Sequence, residues 1–178
     1  MAKIRWISQK NNFSCGPIAI LNLLKWIGLS ISYKRNYEKL FKSCKCTWKG
    51  THQHVFQKCL DKINGVVICP KNLPTIESIE AAIQLGQIVI MKSSYVMEKT
   101  VEGHFFIISE MTEDKFFCIN IGDQSSLPLP KGKHMWVHKV LFAQYYLQYH
   151  RKFCSTCETS SLCGISPYAW FVKKQNQQ

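Results

Sequence analysis

The chain has 178 residues, 46% of them apolar and 19% charged, which is enough to bury the core of one globular domain and too apolar for a disordered chain. Its formal charge of +12 favours anionic partners, an acidic protein or nucleic acid, and bears on association rather than on reaction chemistry. Nine cysteines exclude a complete set of internal disulfides, and residues 1–12 lack the apolar stretch of a secretory signal, so an intracellular setting with reduced thiols is expected.

The longest apolar run, residues 18–29, is interrupted by Asn22 and Lys25 and falls short of the roughly 20 residues that span a bilayer, so no membrane span is predicted. Pro17 suits a first helical turn, and Ile18, Ile20, Leu21, Leu23, Leu24 and Ile27 continue a helix, buried on most sides, up to Gly28. Further helices are expected over 34–42 and over 52–63, the latter stopped by Asn64 and Gly65. A short strand over 66–69 precedes a helix over 76–85, which Gly86 ends. The period then changes to two: 87–91, 104–109 and 115–121 read as strands rich in Ile, Val and Phe, and 136–140 begins another. Helices first and strands later on one core is an α+β arrangement, and without a repeat or a long linker residues 1–178 form a single domain.

Chemistry concentrates at Gln9-Lys-Asn-Asn-Phe-Ser-Cys-Gly-Pro, where a thiol opens a buried helix six residues after a glutamine. Unpaired N–H groups at a helix start favour a thiolate, so Cys15 is expected to have a pKa below the free value of about 8.5. The same N–H groups, with the side-chain amide of Gln9, can stabilise the oxyanion formed when a thiolate attacks a carbonyl. His104 and Asn120 lie at equal distances from Thr112, so a hairpin turning there is expected to set them opposite each other. Alternation puts His104, Phe106 and Ile108 on one face of their strand. An Asn120 side chain against the imidazole would hold the ring toward Cys15, and Asp123 can serve instead if the strand carries a bulge.

In this order of residues the chain resembles the papain-like cysteine peptidases, within them the branch of the double-glycine leader peptidases of bacteriocin exporters. The Gln-x5-Cys-Gly element, Gly50-Thr51 opening a helix, and Gly103-His-Phe-Phe-Ile-Ile carry the resemblance, which covers roughly residues 5–125 and leaves 126–178 as a cysteine-containing extension. It implies a helical N-terminal part packed on a C-terminal antiparallel sheet. It also implies Cys15 as nucleophile, His104 as base, Asn120 or Asp123 as third member, Gln9 in the oxyanion hole, a protein or peptide substrate cut after a small residue such as glycine, and no cofactor for catalysis. Such a free-standing processing enzyme would suit a virus or phage, although no residue specifies the source.

A second constellation is Cys154-Ser-Thr-Cys157 with Cys163, His150 nearby, and Cys44-Lys-Cys46 upstream. Cys-x2-Cys is a metal-ligand spacing, and four ligands from these segments could close a structural zinc site, the alternative being reduced, unligated thiols. Cys59, Cys69 and Cys118 lie in apolar patterns and are expected in the core. Basic residues alternate with aromatics in 33–42 and 131–139 and recur near Lys173; such segments either bind single-stranded nucleic acid or form a solvated face with the rings turned inward. Three functions therefore stand at the level of sequence: a cysteine peptidase, an inactive papain-like fold used for binding or assembly, and a basic nucleic-acid-binding protein with structural zinc.

Overall fold

A computed structural model describes residues 4–9, 11, 13–48, 50–97, 100–121, 133–148 and 167–175. Helix α1 (Cys15–Trp26) opens the fold, and its first nine residues, Cys15 to Leu23, are all buried. An apolar stripe wider than one helix face forces this, and the chain leaves the helix through Gly28 at φ 94°, a left-handed conformation suited to glycine. Helix α2 (Tyr33–Ser43) is strongly amphipathic and has no fully buried residue, whereas α3 (Gln53–Leu60) buries Phe56 and Leu60. Helix α4 (Ile76–Gln84) begins with a capping box, Thr75 and Ser78 each bonding the other's backbone N–H.

Six strands follow or intervene: β1 (Val66–Asn72), β2 (Ile88–Met97), β3 (Thr100–Met111), β4 (Lys115–Ile121), β5 (Lys133–His138) and β6 (Tyr168–Lys174). They form one sheet in the order β1-β6-β2-β3-β4-β5, every pairing antiparallel. A short helix α5 (Lys139–Phe142) runs into a π-helical segment (Ala143–Gln148) where a continued strand is expected from sequence. Strand β6 is the element that the sequence reading does not anticipate. It lies between β1 and β2, so the segment read as an extension returns to the sheet as its second strand from one edge.

Both faces of the sheet are covered. On one, Ala19, Ile20 and Leu23 of α1 and Phe56 of α3 pack against Ile88, Ile90, Phe105, Ile107, Ile119 and Trp170. On the other, Ile79 and Ala82 of α4, Phe142 and Tyr146 pack against Val89, Met91, Phe106, Ile108, Phe116 and Cys118. Two-sided burial explains why the central strands read as nearly continuous apolar runs. The stacked rings of Phe56 and Phe105, 4.2 Å apart, and Trp170, 4.9 Å from Phe56, tie α3, β3 and β6 together.

Of the cysteines expected in the core, Cys118 is buried, Cys59 is half-buried, and Cys69 is exposed. The last departs from expectation because β1 is an edge strand, its Val66-Val-Ile-Cys run facing a helix layer on one side only. The aromatics of the basic segment on α2 turn toward one another and the core: Tyr33 stacks on Tyr37, Tyr37 lies against Phe41, and Phe41 meets Phe13 edge-on. This is the arrangement of a solvated basic face rather than of a stacking platform. Among the described residues, no helix is long and apolar enough to cross a membrane.

Candidate active site

Three asparagines shape the segment that leads into α1. Asn22, wholly buried on α1, exchanges two hydrogen bonds with the backbone of Ile7, accepting from its N–H at 2.8 Å and donating to its carbonyl at 2.9 Å. Asn11 accepts from the N–H of Ser14 at 2.9 Å and closes the turn into the helix. Asn120 grips the intervening Gln9, accepting from its N–H through Oδ1 and donating through Nδ2 to its Oε1, both at 2.9 Å. Gln9 is thus held by polar contacts, between Trp6 and Phe13 that pack against the core on either side of it.

Cys15 starts α1 and is 2% exposed. Its neighbour Gly16 is required for packing: a Cβ there would come within 2.8 Å of Oγ1 and 2.9 Å of Cβ of Thr51, so α1 meets the Gly50-Thr51 turn at backbone distance. The N–H groups of Phe105, Gly16 and Cys15 itself all favour the thiolate, as a helix start should, but burial outweighs them and pushes the thiol up to about 11. The lowered pKa expected from sequence is therefore reversed by desolvation. Lys92, on β2 opposite Phe105, is buried as well. Its ammonium donates to Oε1 of Gln53 at 3.1 Å; burial lowers its pKa to about 8, while the charge of the Cys15 thiolate acts to raise it. Sequence reasoning missed Lys92, although a lone lysine closing the apolar run Ile88 to Met91 was a visible signal.

His104 is buried, and its Nε2 donates to the backbone carbonyl of Asn120 at 2.7 Å. A carbonyl can only accept, so Nε2 carries the proton and Nδ1 is the basic nitrogen of the neutral ring. Desolvation lowers the pKa to about 4, against which the Asn120 carbonyl acts in the opposite sense. The ring lies nearly parallel to Phe106 at 6.3 Å, as alternation predicts.

The hairpin differs from the expected one in register. The pairs Ile107–Ile119 and Ile108–Cys118, a bulge, then Glu110–Phe117 and Met111–Phe116 centre the turn beyond Thr112, so His104 and Asn120 are not cross-strand partners. They meet instead because Asn120 adopts φ 61°, a left-handed conformation that asparagine tolerates, and because the β3–β4 pairing ends at Ile107–Ile119. Phe105 lies beyond that end, and there its N–H meets the Cys15 thiol. Cys15 packs with Phe105 on the α1 side of the sheet, whereas the ring of His104 lies against Phe106, which packs on the other side.

The N–H of Asn120 donates to Nδ1 of His134 at 3.2 Å, and Nε2 of His134 lies 3.3 Å from Oγ of Ser8. Hydrogen bonds therefore join Gln9, His104 and Asn120 into one group, while the Cys15 thiol meets the backbone N–H of Phe105, the residue after His104. Asp123 lies outside the described residues.

Of the cysteines considered for zinc, Cys44 and Cys46 are buried free thiols on the α1 side of the core, and Sγ of Cys46 donates to the carbonyl of Phe13 at 3.0 Å. Cys154, Cys157, Cys163 and His150 lie outside the described residues. Among the described residues no three His, Cys, Asp or Glu side chains converge on a metal-sized site.

No family model matches the chain, and no curated protein sequence does. Solved structures do match its fold. The peptidase domain of Streptococcus ComA, a bifunctional ABC transporter involved in quorum sensing, aligns over 97% of this chain and 100% of its own, with TM-score 0.58 and 13% identity. A double-glycine-motif protease from an AMS/PCAT transporter, in complex with its leader peptide, aligns over 98% and 94%, with TM-score 0.57 and 11% identity. A protein described as a C39-like peptidase from Bacillus anthracis aligns over 97% and 96%, with TM-score 0.59 and 11% identity. The fold is that of the papain-like C39 peptidases, as the resemblance in sequence implies, and the alignment spans the C-terminal strand as well as the helical part.

Proposed function

We propose that the chain is a cysteine peptidase in which Cys15 is the nucleophile, His104 the general base, and Gln9 with the N–H of Cys15 the oxyanion hole. The observation that carries this reading is the hydrogen-bonded group of Gln9, Asn120 and His104, together with a thiol at the start of a buried helix that meets the N–H of Phe105, the residue after His104. His104 with a pKa of about 4 is neutral at pH 7, its Nε2 proton is committed to a carbonyl, and its basic nitrogen is Nδ1. Cys15, at about 11, is a thiol at that pH. The resting pair is then neutral on both sides, and the proton moves from Sγ to Nδ1 as sulfur attacks the peptide carbonyl. A thioester forms, the imidazolium gives its proton to the leaving amine, and water activated by the same nitrogen releases the acid.

The substrate proposed is a peptide or protein segment entering at the gap beyond Ile107–Ile119, with a small residue before the scissile bond. One neighbour in fold is captured with a leader peptide, and that neighbour is a double-glycine-motif protease. The test is cleavage of peptides carrying a Gly-Gly-X bond by the purified chain, with Cys15→Ala and His104→Ala beside it. Loss of cleavage by about 1,000-fold or more in both variants is expected. Cleavage that survives Cys15→Ala would overturn the assignment.

A second reading, a papain-like fold that binds without cutting, is favoured by one observation, the 2% exposure of Cys15. It predicts that the wild-type chain binds such peptides, leaves them whole, and forms no acyl adduct on Cys15.

A further inference from the structure

The side chain of Asn120 is bonded to Gln9 and not to His104, and the chemistry of the donors fixes which way both amides face. The N–H of Gln9 can only donate, so the Asn120 atom 2.9 Å from it is the oxygen Oδ1. The Asn120 amide nitrogen must then face Gln9, and the Gln9 atom 2.9 Å from it must be the acceptor Oε1. That leaves the two N–H groups of Gln9 Nε2 as the part of the amide not engaged with Asn120. Asn120 is 1% exposed, so this exchange is shielded from water and the amide of Gln9 cannot turn over without leaving Nδ2 of Asn120 unsatisfied.

From this we infer that Asn120 is a positioning residue for the oxyanion hole: its side chain holds the Gln9 amide with the donor edge outward, while its backbone carbonyl separately aims His104. The inference rests on the peptidase reading and adds a division of labour to it. One residue sets two groups through two different parts of itself, which is possible because φ 61° turns its carbonyl toward His104 while its side chain reaches the N-terminal segment.

Glycine adopts that φ freely, so Asn120→Gly deletes the side chain and keeps the carbonyl. Asn120→Asp keeps an acceptor for the Gln9 N–H but presents a second oxygen to Oε1, which drives the Gln9 amide to turn its donors inward. Two probes separate the roles. Iodoacetamide alkylates sulfur by displacement with no oxyanion, whereas p-nitrophenyl acetate acylates it through a tetrahedral oxyanion. Both are followed on Cys15 by peptide mapping of the intact folded chain.

Acylation is expected to fall about 100-fold in Gln9→Ala and by a similar factor in Asn120→Gly and Asn120→Asp, with alkylation of Cys15 within about twofold of wild type in Asn120→Gly. The double variant Gln9→Ala/Asn120→Gly should be no slower than either single one, because both remove the same donor. The inference is overturned if Asn120→Gly acylates like wild type while Gln9→Ala does not, or if the two losses multiply. Wild type that alkylates at Cys15 but never acylates overturns the peptidase reading itself, and the positioning role with it. A fall in alkylation and acylation together in Asn120→Gly assigns the side chain to His104 instead and also overturns the inference.

Discussion

His104 and Asn120 are joined by a ring nitrogen and a backbone carbonyl, Nε2 to O at 2.7 Å, inside a site where His104 is 4% exposed. The carbonyl can hold the neutral ring or the imidazolium, since either can donate from Nε2. Burial decides between them, and it favours the neutral ring.

The first prediction concerns acid. The pKa of His104 is lowered from 6.5 to about 4 on folding, so its contribution to stability is fully present above pH 6.5 and is lost as pH falls toward 4. A shift of this size in a fully buried group corresponds to about 3 kcal/mol. His134, whose Nδ1 accepts from the N–H of Asn120 and whose pKa burial also lowers, acts in the same direction. Urea unfolding at pH 7 and at pH 4.5 should show a large loss for wild type and a visibly smaller one for His104→Gln. Equal losses in the two proteins would show that His104 is not buried in its neutral form.

The second prediction concerns the thiol. With a pKa of about 11, about one Cys15 in ten thousand is ionised at pH 7, so alkylation should rise nearly tenfold per pH unit through the neutral and mildly alkaline range. At pH 7, iodoacetamide should label the exposed Cys69 before the buried Cys15. Lys92→Met removes a positive charge that interacts with the thiolate and should slow Cys15 further, with Lys92→Arg restoring part of the rate. A plateau in Cys15 labelling below pH 8 would mean that a preformed thiolate exists and that the buried neutral pair is wrong.

Asn22 supplies the third. Within an apolar helix it reads as an interruption, yet it satisfies both backbone groups of Ile7 from a wholly buried position. Asn22→Ala leaves those groups unpaired in the interior and should cost about 2–4 kcal/mol in denaturant unfolding. Because Ile7 lies two residues before Gln9, the same substitution should lower acylation of Cys15 more than its alkylation. Asn22→Leu, which fills the volume but not the bonds, should not restore acylation.

These cases show what kind of information the sequence carried. Gln9, Cys15 and His104 stood out as candidates because a nucleophile, a base and an oxyanion donor need particular side chains in a particular chain order, and the structure links Gln9 to His104 through Asn120. The strand over 115–121 was legible in full, and α1, α2 and α4 to within two residues, because apolar period and Gly stops mark them. What was hidden depends on backbone that no side-chain pattern encodes: the left-handed turn at Asn120, the bulge beyond Ile108, and hence the exchange of partners by which Asn120 gives its side chain to Gln9. The thiol pKa was read with the wrong sign because a helix start is visible in sequence and the depth of burial is not.

The last prediction concerns the C-terminal strand, where a pattern was present and its place was not. Tyr168-Ala-Trp-Phe-Val is a plain apolar run, but nothing local says that it inserts between β1 and β2. Once there, β6 pairs with β1 along its length and with β2 over Tyr168 to Val172, and Trp170 is wholly buried against Phe56 and against Phe105, the residue next to His104. Removing residues 167–178 would therefore split β1 from the sheet and open the core on the α1 side. A chain truncated at residue 125, the limit of the resemblance in sequence, should fail to fold, and Trp170→Ala in the full chain should cost about 3–5 kcal/mol. Urea unfolding measures the second and circular dichroism the first. A truncated chain with a cooperative transition and acylable Cys15 would show that the helical part and β2 to β4 form the site unaided, and that β6 is dispensable to it.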